Sequence, residues 1–228
     1  MNGESISKNS LSLDMAVALY SAANYPAAFE AFQSLAEQGD CVAQMWVGAC
    51  YAAGTGVPYS MTEAFDWYLK AAEAGNVQAQ TNVGAMLLQG DGCVKDIEQG
   101  LTWLERAASA DDCGAQFNLA TVYSNGKLVD VDQPRAFGWY LRAAQLGHYP
   151  SQARLGYCYQ VGLGVERDRV QAFVWLSLAA RHGVGTALIQ LEQILEHMSS
   201  EQKQQGAMLL DRWGANDQRP APWQAAGS

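Results

Sequence analysis

His148, His182 and His197 are the chain's three histidines, and Cys41, Cys50, Cys93, Cys113 and Cys158 are its five thiols. Imidazoles and thiolates are the usual general bases, nucleophiles and metal ligands. Here they are scattered. The chain has no His-Glu-x-x-His, no Gly-x-Ser-x-Gly, no Walker-type Gly-Lys-Ser/Thr and no Cys-x-x-Cys, the spacings that bring such groups to one place. No catalytic residue, cofactor or metal ligand is therefore expected, and the protein is not read as an enzyme. His148 and His182 fall near the ends of predicted helices, where a cation offsets the helix dipole. An odd number of cysteines without metal spacing fits free thiols in a reducing compartment.

Four glycine-rich segments, GTGVPYS, GDGCVKD, GKLVDVD and GLGVERD, superficially suit a phosphate. A phosphate cradle needs a strand before the glycines and a helix N-terminus after them. A helical pattern precedes each of these segments instead. They read as turns between helices, with glycines supplying backbone angles that other residues reach only with strain. Leu128 stands where the other turns have their second glycine, so the third turn is expected to be shaped differently.

The elements around these turns recur. Trp67, Trp103, Trp139 and Trp175 share one spacing, and the same register carries further columns. One is Ala71, Ala107, Ala143 and Ala179, and another is Gln44, Gln80, Gln116 and Gln152. Gly54, Gly90, Gly126 and Gly162 form a third, and Tyr51, Leu87, Tyr123 and Tyr159 a fourth. Gly48, Gly84 and Gly156 form a fifth, with Ala120 in the remaining place. Each unit contains two helical patterns. In the first, Gln44, Val47, Gly48 and Tyr51 share a stripe, and a glycine in mid-helix implies close approach of a neighbouring helix. In the second, Ala64, Trp67, Tyr68 and Ala71 share a face. The tryptophan column is expected to be buried, so that Trp103→Ala would cost about 3–5 kcal/mol and split cooperative unfolding into halves. Gly75, Gly147 and Gly183 end the second helices at positive φ, with Asp111 taking that place in the second unit.

The expected organisation is a flexible tail over 1–14, a short hairpin over 15–39, repeats at 40–75, 76–111, 112–147 and 148–183, capping helices over 184–213 and a flexible tail over 214–228. Residues 15–213 would form one solenoid domain. In the hairpin, Asn24 and Pro26 are expected in the turn. Ser199 or Ser200 before Glu201 suits the start of the last helix. Trp223 stands out in the C-terminal tail, as a docking element or as a residue without a role.

At 49% hydrophobic residues the chain folds rather than remaining disordered. Its formal net charge of −9 disfavours a sequence-independent grip on nucleic acid or an anionic membrane surface. The N-terminus lacks the unbroken apolar stretch of a secretory signal, and no later run approaches a membrane span. A cytoplasmic protein without membrane insertion is expected.

The pattern Ala-Gln-x-x-Leu/Val-Gly-x-x-Tyr-x-x-Gly-x-Gly-Val, then Ala-x-x-Trp-Tyr-x-x-Ala-Ala-x-x-Gly, stands almost whole in 43–75 and 152–183, and with substitutions in 79–111 and 115–147. It resembles the Sel1-like repeat family, a relative of the tetratricopeptide repeats. The resemblance implies an all-α fold, a right-handed α/α solenoid of helix-turn-helix repeats. It also implies a bacterial or eukaryotic interaction protein, here read as bacterial. Some secreted relatives join the two helices of each repeat by a disulfide, but the second helices of this chain contain no cysteine.

The resemblance further implies that first helices line a concave face. The columns pointing there vary from unit to unit, and the residues expected to meet a partner are Met45, Thr81, Leu88, Gln89, Phe117, Asn118, Thr121, Asn125, Arg154, Tyr157 and Gln160. Arg154 with Asn118 suits a peptide carboxylate. It looks like part of a tetratricopeptide carboxylate clamp, but Thr81 and Pro150 stand where that clamp has lysines, so a full clamp is not expected. The function expected is a non-catalytic scaffold or adaptor that binds a protein or peptide. Alternatives are an immunity or regulatory protein sequestering one partner, and a glycan- or small-ligand-binding solenoid. The expected assembly is a monomer or weak homo-oligomer.

Overall fold

The computed structural model describes residues 12–216. Most of the two predicted tails, including Trp223, lies outside the described residues. Among the described residues there are twelve helices and no strand. They are α1 (Leu13–Ser21), α2 (Tyr25–Glu37), α3 (Cys41–Ala53), α4 (Met61–Glu73), α5 (Val77–Gln89), α6 (Ile97–Ser109), α7 (Cys113–Asn125), α8 (Gln133–Gln145), α9 (Tyr149–Val161), α10 (Arg169–Arg181), α11 (Gly185–Glu196) and α12 (Ser200–Asn216). The fold is an α/α solenoid of helix-turn-helix repeats. Two compact units divide between Ala110 and Asp111.

Local chemistry sets the helix starts. Asp40, Asn76 and Asp112 precede α3, α5 and α7, and each side chain accepts from backbone N–H groups of the first turn. Ser60, Asp96, Asp132 and Asp168 do the same for α4, α6, α8 and α10. The N–H of each of these four residues also donates back across the turn. The acceptors are the carbonyls of Tyr51, Leu87, Tyr123 and Tyr159, at 2.9–3.0 Å. The tyrosine column thus marks where the turn closes.

Two places need glycine for a physical reason. A Cβ on Gly48, Gly84 or Gly156 would lie 2.6–2.7 Å from the side chain of Tyr68, Leu104 or Leu176 on the second helix of the same repeat. The recurrent mid-helix glycine is therefore a point of close approach. In the turns, Gly56, Gly92 and Gly164 have φ of 75°, 71° and 70°. A Cβ there would come within 2.1–2.2 Å of the carbonyl oxygen of Tyr25, Met61 or Gln133, at the start of the preceding repeat's second helix. Leu128 is not among the residues at positive φ, so the third turn runs differently, as its sequence suggests. Asp111 does adopt the left-handed conformation, φ 61°.

Repeats are tied to one another by the glutamine column. The side-chain amides of Gln44, Gln80 and Gln152 donate to the carbonyls of Ala36, Ala72 and Ala144 at 3.2–3.3 Å, satisfying groups that a helix end leaves open. In the first unit, Ala28, Phe32, Ala43, Val47 and Cys50 form one buried cluster, and Ala64, Tyr68, Ala71, Val83 and Leu87 the next. In the second unit, Ala172, Leu176, Ala179, Ala187 and Ile194 form another, with Leu209 of α12 packed against it.

Several expectations are corrected at the ends. Helix α1 begins at Leu13, capped by the Ser12 hydroxyl, inside the segment read as a tail. Pro26 lies in the first turn of α2, where its missing N–H costs nothing, and Ala23 makes the turn with φ 58°. The last helix continues to Asn216. The tryptophan column is only half-buried in three repeats; Trp175 alone of the four is buried, 4% exposed. A cation lies over each half-buried ring: Lys70 on Trp67, Arg106 on Trp103 and Arg142 on Trp139, at 4.1, 5.6 and 5.2 Å.

Candidate functional site

In the second unit, residues of three first helices enclose a groove of about 250 Å³. Phe117 comes from α7. Pro150, Ala153, Arg154 and Tyr157 come from α9. Thr186 and Gln190 come from α11, with Val184 just before it. Helical spacing explains the α9 group, since residues one turn apart share a face. Phe117 is held in place by neighbours on both sides. Its ring centroid is 5.8 Å from Tyr140 and 5.3 Å from His148, which meets it edge-on. Arg154 is exposed, and Tyr157 and Gln190 are half-buried.

The structure brings together three of the residues expected from sequence, Phe117, Arg154 and Tyr157. Asn118 and Thr121 lie close by on α7, both half-buried. The Thr121 hydroxyl donates to the carbonyl of Phe117 at 2.9 Å and lies 3.4 Å from the Tyr140 hydroxyl. Asn125 is exposed, and its side-chain oxygen accepts from the N–H of Lys127 at the turn. Gln160 is half-buried, one turn beyond Tyr157. Gln89 is exposed at the end of α5. Met45, Thr81 and Leu88 are buried, at 8%, 9% and 5% exposure, and present little surface to a partner. The Thr81 hydroxyl is spent on the carbonyl of Val77, 3.3 Å away.

Sequence reasoning did not place Val184, Thr186 and Gln190 in the site. The signal was present: each follows His148, Pro150 and Arg154 at the repeat spacing, so α11 is in register as one more first helix.

His148 corrects a sequence expectation. It is the N-cap of α9, where the helix dipole disfavours a cation. Its Nδ1 lies 2.8 Å from the Ser151 hydroxyl. Burial holds its pKa below the ordinary value, with Asp112 opposing the shift. His182 and His197 stand at the C-terminal ends of α10 and α11. His182 stacks on Tyr149, ring centroids 3.6 Å apart, and Nδ1 of His197 lies 2.8 Å from the carbonyl of Gln193. The five cysteines are unpaired. Cys50 and Cys158 are buried, and burial lifts the Cys158 thiol to about 11 against the opposing charge of Arg154. Such a thiol is uncharged at neutral pH and a poor nucleophile. Among the described residues no group of three His, Cys, Asp or Glu side chains is placed to hold a metal ion, and no helix is long and apolar enough to cross a membrane.

Charge is distributed unevenly along the chain. Residues 1–110 carry four Lys and Arg against twelve Asp and Glu, a net −8, and residues 111–228 carry ten against eleven, a net −1. The groove therefore belongs to the nearly neutral half.

A family model for the Sel1 repeat matches residues 41–76, 77–112, 114–148 and 150–184, more than half of the chain. No curated protein sequence matches. Among solved structures, a Sel1 repeat protein from Oxalobacter formigenes is 35% identical with a TM-score of 0.68, covering 75% of this chain and 49% of its own. A protective antigen of uropathogenic Escherichia coli strains, displaying an SLR fold, is 32% identical with a TM-score of 0.75, covering 82% and 40%. This chain thus spans half or less of the length of either protein. An immunity protein from Pseudomonas aeruginosa shares the fold at 18% identity and a TM-score of 0.54, covering 91% and 84%. With four matched repeats in register, the chain belongs to the Sel1 repeat family.

Proposed function

We propose that the protein is a non-catalytic scaffold or adaptor, acting in the cytoplasm, that holds a protein or peptide in the groove formed by α7, α9 and α11. The observation that carries this reading is the groove itself. It is lined by positions that differ from repeat to repeat, whereas the positions that stack the repeats recur. Its lining joins an aromatic, a tyrosine and an arginine, side chains that commonly anchor protein interfaces. Asn118, Thr121 and Gln160 extend the same face. The unpaired thiols agree with a reducing compartment.

The test is affinity capture from native lysate, wild type beside a triple variant, Phe117→Ala, Arg154→Glu and Tyr157→Ala, with both checked for folding by circular dichroism. Capture by the wild type alone supports the groove. Equal capture by both removes the groove from the interaction.

A second reading rests on the charge count. The net −8 of residues 1–110 suits sequestration of one basic partner through the first unit, as an immunity or regulatory protein would do. Such a partner would survive the triple variant and dissociate as salt is raised.

A further inference from the structure

Arg154 stands at the groove without an ion-pair partner among the described residues. The other polar side chains lining the groove are Tyr157, Thr186 and Gln190, all able to donate, and no carboxylate is among them. The adjacent helix starts have lost their acceptors as well. Where α3, α5 and α7 are capped by Asp40, Asn76 and Asp112, the corresponding places before α9 and α11 hold His148 and Val184, neither of whose side chains accepts from a backbone N–H of its helix. Neither helix carries an acidic residue of its own in the first turn, where a negative charge would offset the positive end of the helix dipole. Drug-sized ligand pockets run from about 300 to 1,000 Å³, and this groove, at about 250 Å³, is smaller. That suits one side chain of a longer partner.

We propose that the groove takes an internal segment of a partner polypeptide in which an Asp or Glu adjoins a large apolar side chain. The apolar group packs against Phe117, Ala153 and Val184, and the carboxylate meets the guanidinium of Arg154, whose paired donors match its geometry. An internal segment is favoured over a chain end because the face continues beyond the groove, through Thr121 on α7 and Gln160 on α9. The proposal rests on the groove being the partner site.

The test is selection of random twelve-residue peptides displayed on phage, using the full chain as bait. The enriched sequence is then synthesised with both ends blocked, and its affinity is measured by fluorescence anisotropy. Enrichment of Asp or Glu beside Phe, Leu or Trp is expected. Arg154→Glu should weaken the peptide at least about tenfold and shift a repeated selection toward Lys or Arg. Phe117→Ala should weaken it comparably, with the helical circular dichroism of both variants unchanged. Peptides lost on Phe117→Ala but indifferent to Arg154→Glu overturn the acidic assignment and leave the groove reading standing. Peptides that bind only with a free carboxyl terminus overturn the internal segment. No enrichment, or binding indifferent to both substitutions, overturns the inference together with the groove.

Discussion

Trp175 and Trp213 meet edge to face, ring centroids 4.9 Å apart at an interplanar angle of 65°. The contact explains why the fourth tryptophan of the column differs from the other three. Trp67, Trp103 and Trp139 each have a cation three residues on, lying over the ring. After Trp175 the corresponding residue is Leu178, itself buried. A solvated ring gains from a cation, whereas a ring covered by another helix needs an apolar neighbour. Nearby, Gly206 lets α12 approach the ring of Phe173, which a Cβ would meet at 2.4 Å.

Truncation should therefore hurt most in the last repeat. Trp175→Ala is expected to cost about 3–5 kcal/mol, as for a fully buried ring, and Trp103→Ala less. Trp213→Ala should cost about 1–2 kcal/mol through the lost aromatic pair and exposed surface. Chemical denaturation of the three variants checks the order, and a larger loss for Trp103→Ala than for Trp175→Ala would contradict it.

Close approach makes a second prediction. Gly156→Ala places a Cβ 2.6 Å from the Leu176 side chain and should destabilise by about 1–3 kcal/mol through overpacking, against the intrinsic helical preference for alanine. The third repeat already holds Ala120 at this place, so Ala120→Gly should cost only about 1 kcal/mol. Thermal denaturation of both variants decides; a stabilised Gly156→Ala would show that the helices part without penalty.

Asp111 offers the opposite case. It sits at φ 61°, where Gly39, Gly75, Gly147 and Gly183 serve the other repeats at φ of 80° to 95°. Its carboxylate is 3.5 Å from Arg142, but both side chains are at least half exposed, so the pair contributes little. Asp111→Gly should be neutral or stabilising by up to about 1 kcal/mol. A clear loss in the denaturation midpoint would mean that the ion pair outweighs the backbone strain.

His148 predicts a pH dependence. Because burial depresses its folded pKa, the unfolded chain takes up the proton first as pH falls. Its contribution is complete above the unfolded value of 6.5 and is lost as pH drops through the lower folded pKa. Between pH 7 and 5 the wild type should lose more stability than His148→Asn, which cannot titrate and restores a cap acceptor. Parallel stability curves would contradict the assignment.

The repeat architecture was legible because a stacking position must be equivalent in every unit, so Trp67, Gln80 and Gly84 recur at one spacing. What covers each face was not. Period places Trp103 and Trp175 on the same face but does not say which one α12 covers; the change from Arg106 to Leu178 is the trace of it. Met45, Thr81 and Leu88 vary between repeats like groove residues, yet packing buries them. Three of the eight residues that line the groove, Val184, Thr186 and Gln190, were not legible as first-helix positions because the segment from Val184 lacks a glycine-rich turn, although the repeat spacing runs on through it.

The most direct measurement is photo-crosslinking with the captured partner, from a benzophenone side chain placed at Tyr157 in the groove or at Arg142 on a second helix. An adduct from position 157 and none from 142 is the predicted result. An adduct from 142 with none from 157 would place the partner on the second-helix face and contradict the groove as its site.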